Sequence, residues 1–151
     1  MRTIAFGFAA VASLLLASAT HAQEELSGYE KLGPIEQKPW ESPVAVEQVR
    51  KFVWDHWNQK RRGYVVFTFH TKEGEPTTRY LFIEPSAIGT WHIRGRIEST
   101  RTDRRMANDP QKQPDTQELK VFEAVRVVRV GAGARSYLVL KEASGKVVDS
   151  L

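Results

Sequence analysis

The sequence predicts an α+β fold in which one N-terminal amphipathic helix packs on a curved antiparallel meander sheet of five or six strands. Apolar residues recur at intervals of three and four over residues 43–62, as they do along one face of a helix. From residue 64 onward, short segments rich in β-branched and aromatic residues alternate with turn-forming residues. The 151 residues include no cysteine, so we expect a hydrophobic core, and not disulfides, to hold the fold together.

The first 22 residues have the pattern of a secretory signal peptide. Arg2 supplies the positive start, residues 4–16 are uncharged and mostly apolar, and small residues precede a cleavage site after Ala22. The apolar run is shorter than the roughly 20 residues that a transmembrane helix needs. We therefore expect an exported protein, in the bacterial periplasm or outside the cell, with no transmembrane span after cleavage. An uncleaved anchor is the alternative.

The charge balance narrows the classes of partner. The chain has 22 basic and 18 acidic side chains, and loss of Arg2 with the signal leaves 21 against 18, a net charge of +3. Because this excess is small for a nucleic-acid-binding protein, no nucleic-acid partner is expected. The candidate partners are an anionic small molecule, a lipid head group, a polysaccharide or an envelope protein.

Residues 23–41 are polar, contain two prolines, and are predicted to form an irregular lead-in to a single domain that covers residues 42–151. The helix is expected to begin with Ser42 as its cap and Pro43 in its first turn. It should extend to Arg62 and stop at Gly63, which tolerates the left-handed conformation. Its apolar stripe consists of Val46, Val49, Val53 and Trp57.

Six segments after the helix are predicted to be strands. They are residues 64–71, 77–84, 90–100, 117–130, 135–142 and 147–151. The fourth segment loses its alternation near residues 122–125, which indicates a bulge. Residues 101–116 are charged, contain two prolines and form a loop that is long for a hairpin. We expect this loop to be flexible, and a functional loop is the alternative.

Alternation along the first three strands defines two faces of the sheet. One is apolar and is expected to lie under the helix; it carries Val65, Phe67, Phe69, Leu81, Ile83, Trp91, Ile93 and Ile97. We call the opposite side the second face; it carries Tyr64, Val66, Thr68, His70, Tyr80, Phe82, His92, Arg94 and Arg96. In the predicted register, Val65 lies opposite Ile83, and Ile83 lies opposite Trp91. Tyr80 lies opposite Arg94, and Phe82 lies opposite His92.

The second face is the candidate binding surface, because aromatic rings provide contact area and arginine guanidinium groups bind carboxylates and phosphates. The candidate binding residues are Tyr64, Tyr80, Phe82, His92, Arg94 and Arg96. The first hypothesis is therefore a non-catalytic binding or interaction module. A structural scaffold, in which this face carries ordinary charges or is covered by the lead-in, is an alternative.

A small enzyme that uses His70 or His92 in a pocket on the second face is another alternative. Their positions on the first and third predicted strands give an expected separation of about 10 Å. Glu84 is the one carboxylate that the pattern places close enough to orient either ring. A metal site would need a third ligand close to both histidines. The sequence therefore indicates no catalytic residues, no metal site and no cofactor.

Overall fold

The computed structural model describes residues 26–72, 75–101 and 116–151. Its regular elements are β1 (Glu30–Gln37), α1 (Val44–Gln59), β2 (Gly63–His70), β3 (Pro76–Pro85), β4 (Trp91–Arg101), β5 (Thr116–Ala124), β6 (Arg126–Val130), β7 (Tyr137–Lys141) and β8 (Val147–Ser150). The predicted signal peptide, residues 1–22, lies outside the described residues. Residues 102–115, nearly the whole of the predicted flexible loop, also lie outside the described residues. Within the described ranges, no helix has both the length and the apolar character needed to cross a bilayer.

The larger sheet contains five strands in the order β1-β2-β3-β4-β5. Strands β2 to β5 pair antiparallel, and β1 pairs parallel with β2 at the sheet edge. One helix with a five-stranded sheet confirms the predicted α+β class, whereas curvature of the sheet stays a prediction. Because β1 precedes α1, the helix is not the first regular element of the described chain.

The prediction of an irregular lead-in over residues 23–41 was wrong for Glu30–Gln37, which form β1. This segment has few apolar residues, and its pairing with β2 shifts between Leu32 and Ile35. A Cβ atom on Gly33 would lie 2.3 Å from the carbonyl oxygen of Val66, so glycine allows the two strands to approach. Contacts with β2 therefore make this weakly patterned segment a strand, and Pro34 is tolerated because β1 is an edge strand.

The helix is shorter than predicted, and its ends are built differently. Pro43 occupies the N-cap position without a side-chain hydrogen bond, so Ser42 is not the cap. Lys60 adopts the left-handed conformation at the C-cap, with φ 52° and ψ 52°, so Gly63 is not the stop. Gly63 instead begins β2, where a Cβ atom would lie 2.9 Å from the ring atoms of both His56 and Phe52. The glycine is required for close helix–strand packing and not for a turn.

The core lies between α1 and the face of the sheet that the sequence predicted to be apolar. Val65, Phe67, Leu81, Ile83 and Ile93 are buried on this face, and Val49 and Val53 of α1 belong to the same core cluster. Trp91 and Ile97 are partly buried at its margin. Phe69 has the strand parity of this face, as predicted, but it is 37% exposed near the end of β2 and does not belong to the core.

The register differs from the prediction by two residues at both hairpins. Val65 pairs with Leu81 and not with Ile83, and Ile83 pairs with Ile93 and not with Trp91. The turn after β2 closes through a 3.0 Å hydrogen bond from the Thr71 N–H to the Glu75 carbonyl, which fixes this alignment. A register shift by an even number of residues leaves each side chain on its predicted face, so the assignment of residues to the two faces remains correct.

The last three strands form a separate sheet, β6-β7-β8, and do not continue the meander as predicted. The expected bulge at residues 122–125 is the bend at Val125 where the chain leaves one sheet for the other; the Val125 N–H donates to the Lys141 carbonyl at 2.9 Å. Leu138 and Leu140 from this second sheet complete the shared core. The change of sheet thus brings apolar residues of the last strands onto the same core.

An ion pair joins the two sheets inside the fold. Arg79 of β3 donates two hydrogen bonds, of 2.9 and 3.3 Å, to the carboxylate of Asp149 in β8. The two side chains are 19% and 7% exposed. Arg79 stands on the core face of β3, paired with Phe67 and Ile97, so the carboxylate compensates a charge that this face would otherwise bury alone.

Candidate functional site

All six candidate binding residues lie on the second face, turned away from α1. Cross-strand pairing aligns them in rows. The first row crosses all five strands and contains Lys31, Tyr64, Phe82, Arg94 and Glu123. The second row contains Val66, Tyr80, Arg96 and Val121. Glu84 and His92 form a short third row. Each aromatic residue of β3 is therefore flanked by an arginine of β4.

The aromatic rings pack against one another across the strands. The rings of Tyr64 and Phe82 are directly paired, with centroids 4.5 Å apart and planes inclined by 32°. Tyr29, just before β1, meets Phe82 edge-on at 6.2 Å. One residue of the lead-in thus covers an end of the second face, and Tyr64 and Phe82 remain half-buried.

The two arginines lie over the rings of their cross-strand neighbours. The guanidinium carbon of Arg94 is 4.6 Å from the Phe82 ring centroid, and that of Arg96 is 5.8 Å from the Tyr80 centroid. The predicted partners, Tyr80 with Arg94 and Phe82 with His92, were wrong because of the two-residue register shift. Each arginine nonetheless lies over an aromatic ring of its observed cross-strand partner, an arrangement that is electrostatically favourable.

Carboxylates pair with these cations, which the sequence reasoning did not anticipate. Arg94 donates through Nε to Glu84 at 3.0 Å, and Arg96 donates to Glu98. Glu84 and Glu98 share the strand parity of the arginines, and that signal was available in the sequence. The second face therefore carries nearly balanced charge, and its arginines do not form an excess of positive charge for a polyanion.

Glu84 is the centre of the network at one end of the face. It accepts hydrogen bonds from the Tyr29 hydroxyl and from Arg94, and its side chain is 15% exposed. Desolvation alone would raise the pKa of Glu84, but these hydrogen bonds and the charges of Arg94 and His92 outweigh it and lower the pKa. Burial, reinforced by the Glu84 carboxylate, raises the pKa of Tyr29 to about 12. Glu84 is thus ionised and Tyr29 protonated at neutral pH.

The two histidines do not share a site. His70 pairs with Pro76, and His92 pairs with Glu84, so they lie eight positions apart along β3. At about 3.3 Å per residue this is roughly 26 Å, and the expected separation of about 10 Å was wrong. A metal or catalytic centre that uses both rings is therefore incompatible with the register.

Carboxylates do orient both rings, contrary to the sequence expectation that only Glu84 was placed to do so. Nε2 of His70 is 2.6 Å from Glu36. Nδ1 of His92 is 2.8 Å from Glu123, and its Nε2 is 3.6 Å from Glu84. Both ring nitrogens of His92 therefore face carboxylates, and these contacts link β4 with β5 and β3.

A depression of about 270 Å³ lies at the far end of the second face, lined by Thr78, Arg96 and Glu98 among others. A larger cavity of about 510 Å³ lies elsewhere, beside α1, and is lined by Arg50, Trp54 and Arg129, which the sequence analysis did not single out. Arg50 and Trp54 lie four residues apart on α1, whereas Arg129 comes from the distant strand β6, and no local sequence pattern connects it with them. No family model, curated protein or solved structure matches this chain.

Proposed function

We propose that this chain is an exported, non-catalytic binding module whose second face docks a protein partner. One observation carries the proposal: half-buried aromatic rings alternate with arginines that lie over them and are held there by glutamates. Tyrosine, phenylalanine and arginine are the residues enriched in the cores of protein–protein interfaces. Leu119 and Val121 of β5, 61% and 66% exposed, extend the apolar part of this face to the sheet edge.

The ion pairs prepare the arginines for binding. Arg94 is held by Phe82 beneath it and by Glu84 beside it, so little side-chain freedom remains to be lost on association. Its bond to Glu84 uses Nε, and a guanidinium has four further N–H donors for acceptors on a partner. The side chain is 49% exposed and thus accessible.

The size and charge of the face favour a protein over the other candidate partners. Five strands spaced at about 4.8 Å give a surface roughly 24 Å wide, which is the scale of a standard protein interface and not of a small molecule. The near-balance of charge gives little attraction for an anionic polysaccharide or lipid surface. A protein surface that carries both apolar groups and hydrogen-bond acceptors complements the aromatic rings and arginines of the second face best.

Site-specific photo-crosslinking in cells that make the protein tests the docking surface. A photoreactive phenylalanine analogue at Val121 should yield a discrete covalent product with one partner. The same analogue at Val147, which is 52% exposed on β8 of the other sheet, is the matched control and should not yield it. Arg94→Ala combined with Arg96→Ala should reduce the Val121 product. No product at Val121, or the same product at both positions, would favour the scaffold alternative.

Two further measurements separate the remaining parts of the proposal. Retention of the wild-type chain on anionic vesicles, abolished by the double arginine substitution, would replace the protein partner with a lipid head group. The export component rests on residues 1–22 and is tested by the mass of the protein in a periplasmic extract. A mature chain that begins at Gln23 is expected, and a chain that retains Met1 in the cytoplasm would overturn it.

A further inference from the structure

A cavity of about 510 Å³ lies between α1 and the three-stranded sheet, away from the second face. Its volume is within the size range of small-molecule sites. Its helical wall comes from residues spaced three and four apart, including Arg50 and Trp54, which the 3.6-residue period places on one flank of α1. Its other wall comes from β6, β7 and the turn between them, including Arg129 and Tyr137.

Arg50 supplies the first sign of a missing ligand. Its Nε atom is buried and, among the described residues, has no hydrogen-bond partner. A buried charged donor without an acceptor costs more than an ordinary lost hydrogen bond. The nearby Asp55 carboxylate is already paired with Lys51 at 2.6 Å. Arg50 also lines the cavity, so its guanidinium is the group that an acceptor entering the cavity would meet.

Arg129 supplies a second, already positioned cation at the same cavity. Its terminal nitrogen donates to the Ser136 hydroxyl at 3.2 Å, and this hydroxyl donates to the Gly133 carbonyl at 2.8 Å. The Arg129 guanidinium carbon is 6.0 Å from the Trp54 ring centroid. Neither arginine of the cavity has a carboxylate within salt-bridge distance in the part of the chain that the structure describes.

We infer that this cavity binds a small organic monocarboxylate with an aromatic or apolar body. Arg50 receives the carboxylate, since a guanidinium fork matches its two oxygens. Trp54, Tyr137 and Leu138 surround the apolar body. This site takes a ligand of a different class from the protein partner of the second face.

The charge of the cavity selects a monoanion over a dianion. Its lining contains three basic residues, Arg50, Lys51 and Arg129, and two acidic ones, Glu47 and Asp55, a balance of 3 − 2 = +1. One carboxylate neutralises this charge. A phosphate monoester would bring a second negative charge toward the Glu47 and Asp55 carboxylates, and like charges at short range are unfavourable.

The test compares three probes on the full chain: phenylacetate, its neutral analogue phenylacetamide, and phenyl phosphate. Binding is followed by the NMR signal of the Trp54 indole N–H. Phenylacetate should bind about tenfold or more tightly than phenylacetamide, the equivalent of one charge-assisted hydrogen bond. It should also bind more tightly than phenyl phosphate. Equal affinity for acid and amide, preference for the phosphate, or no response to phenylacetate would overturn the inference.

Substitutions assign the preference to the cavity. Arg50→Met should remove the advantage of phenylacetate over phenylacetamide and leave amide binding unchanged. Arg126→Met is the matched control, because it removes the same charge from an exposed position of β6 outside the cavity lining, and it should keep the preference. If Arg50→Met does not fold, Arg129→Gln replaces it, with the expectation of a smaller but measurable loss of the acid preference. A preference that survives both cavity substitutions would overturn the assignment.

Discussion

Gly95 of β4 provides the sharpest test of the packing, because an aromatic ring occupies the position of its absent side chain. A Cβ atom on Gly95 would lie 2.1, 2.4 and 2.5 Å from three carbons of the Phe122 ring. Non-bonded carbons are most favourably separated by about 3.5–4.0 Å, so Gly95→Ala must displace the ring by more than about 1 Å. Phe122 is 8% exposed and packs in the shared core, so the displaced ring has no empty space to enter.

The expected effect of Gly95→Ala is the difference between two opposing contributions. Over-packing a core costs about 1–3 kcal/mol. Replacing glycine within a strand by alanine normally stabilises by about 0.5–1 kcal/mol, since it reduces the entropy of the unfolded chain. The net expectation is a loss of about 1–2 kcal/mol in the free energy of unfolding, measured by urea denaturation with tryptophan fluorescence. The urea midpoint should fall while the slope of the transition stays the same.

Phe122→Leu provides the background that separates the clash from other effects. Leucine lacks the ring carbons that meet the new methyl group, so Gly95→Ala should cost little in this background. The double-mutant cycle should therefore give a coupling of about 1 kcal/mol or more. An equal cost of Gly95→Ala in both backgrounds, or a gain in stability in the wild-type background, would refute the packing argument.

Three further predictions follow from the ion pair and the phenol–carboxylate contact. Arg79→Met should lower the free energy of unfolding by about 3 kcal/mol, because it leaves Asp149 buried without its partner. Adding Asp149→Leu should restore much of the loss. An Arg79→Met variant as stable as the wild type would contradict this. In an absorbance titration, Tyr29→Phe should abolish a phenol that ionises near pH 12, and Tyr137→Phe, the control, should retain it. The pKa of Tyr29 is raised in the folded protein, so its stabilising contribution is complete below about pH 10, the unfolded value, and is lost as pH rises toward 12. Tyr29→Phe should therefore make the free energy of unfolding less dependent on alkaline pH. The pKa of Glu84 is lowered in the folded protein, so its stabilising contribution is present above the unfolded pKa of about 4.5 and is lost as pH falls through the folded value. Glu84→Gln should therefore make the free energy of unfolding less dependent on acidic pH. An unchanged dependence below pH 4.5 would contradict this.

Local patterns in the sequence were sufficient for the helix and for the two faces of the sheet. The 3.6-residue spacing of Val49 and Val53 is a property of the helix backbone itself, and both residues are buried. The two-residue alternation of a strand likewise fixed which face Val65 and Tyr80 occupy. This information survives an even shift in register, so the faces were correct although both hairpin alignments were wrong.

The candidate site was predicted in composition but not in pairing. The alternation placed Tyr80, Phe82, Arg94 and Arg96 on one surface, as observed. Which arginine lies over which ring depends on the exact alignment of β3 and β4, and the turns set that alignment. The balance of charge on the second face depends on the same alignment, since it brings Glu84 beside Arg94.

The sequence by itself thus determined the amphipathic helix and the sides of β2, β3 and β4, because these depend on residues that are neighbours along the chain. Export stays a prediction from residues 1–22. Only the tertiary structure decided that residues 30–37 become an edge strand, that the chain changes sheets at Val125, and that Arg50 and Arg129 meet at one cavity. These features arise from contacts between segments far apart in sequence. They are stabilised by burial of apolar surface between those segments and by compensation of charge, and neither can be predicted from a local pattern of residues.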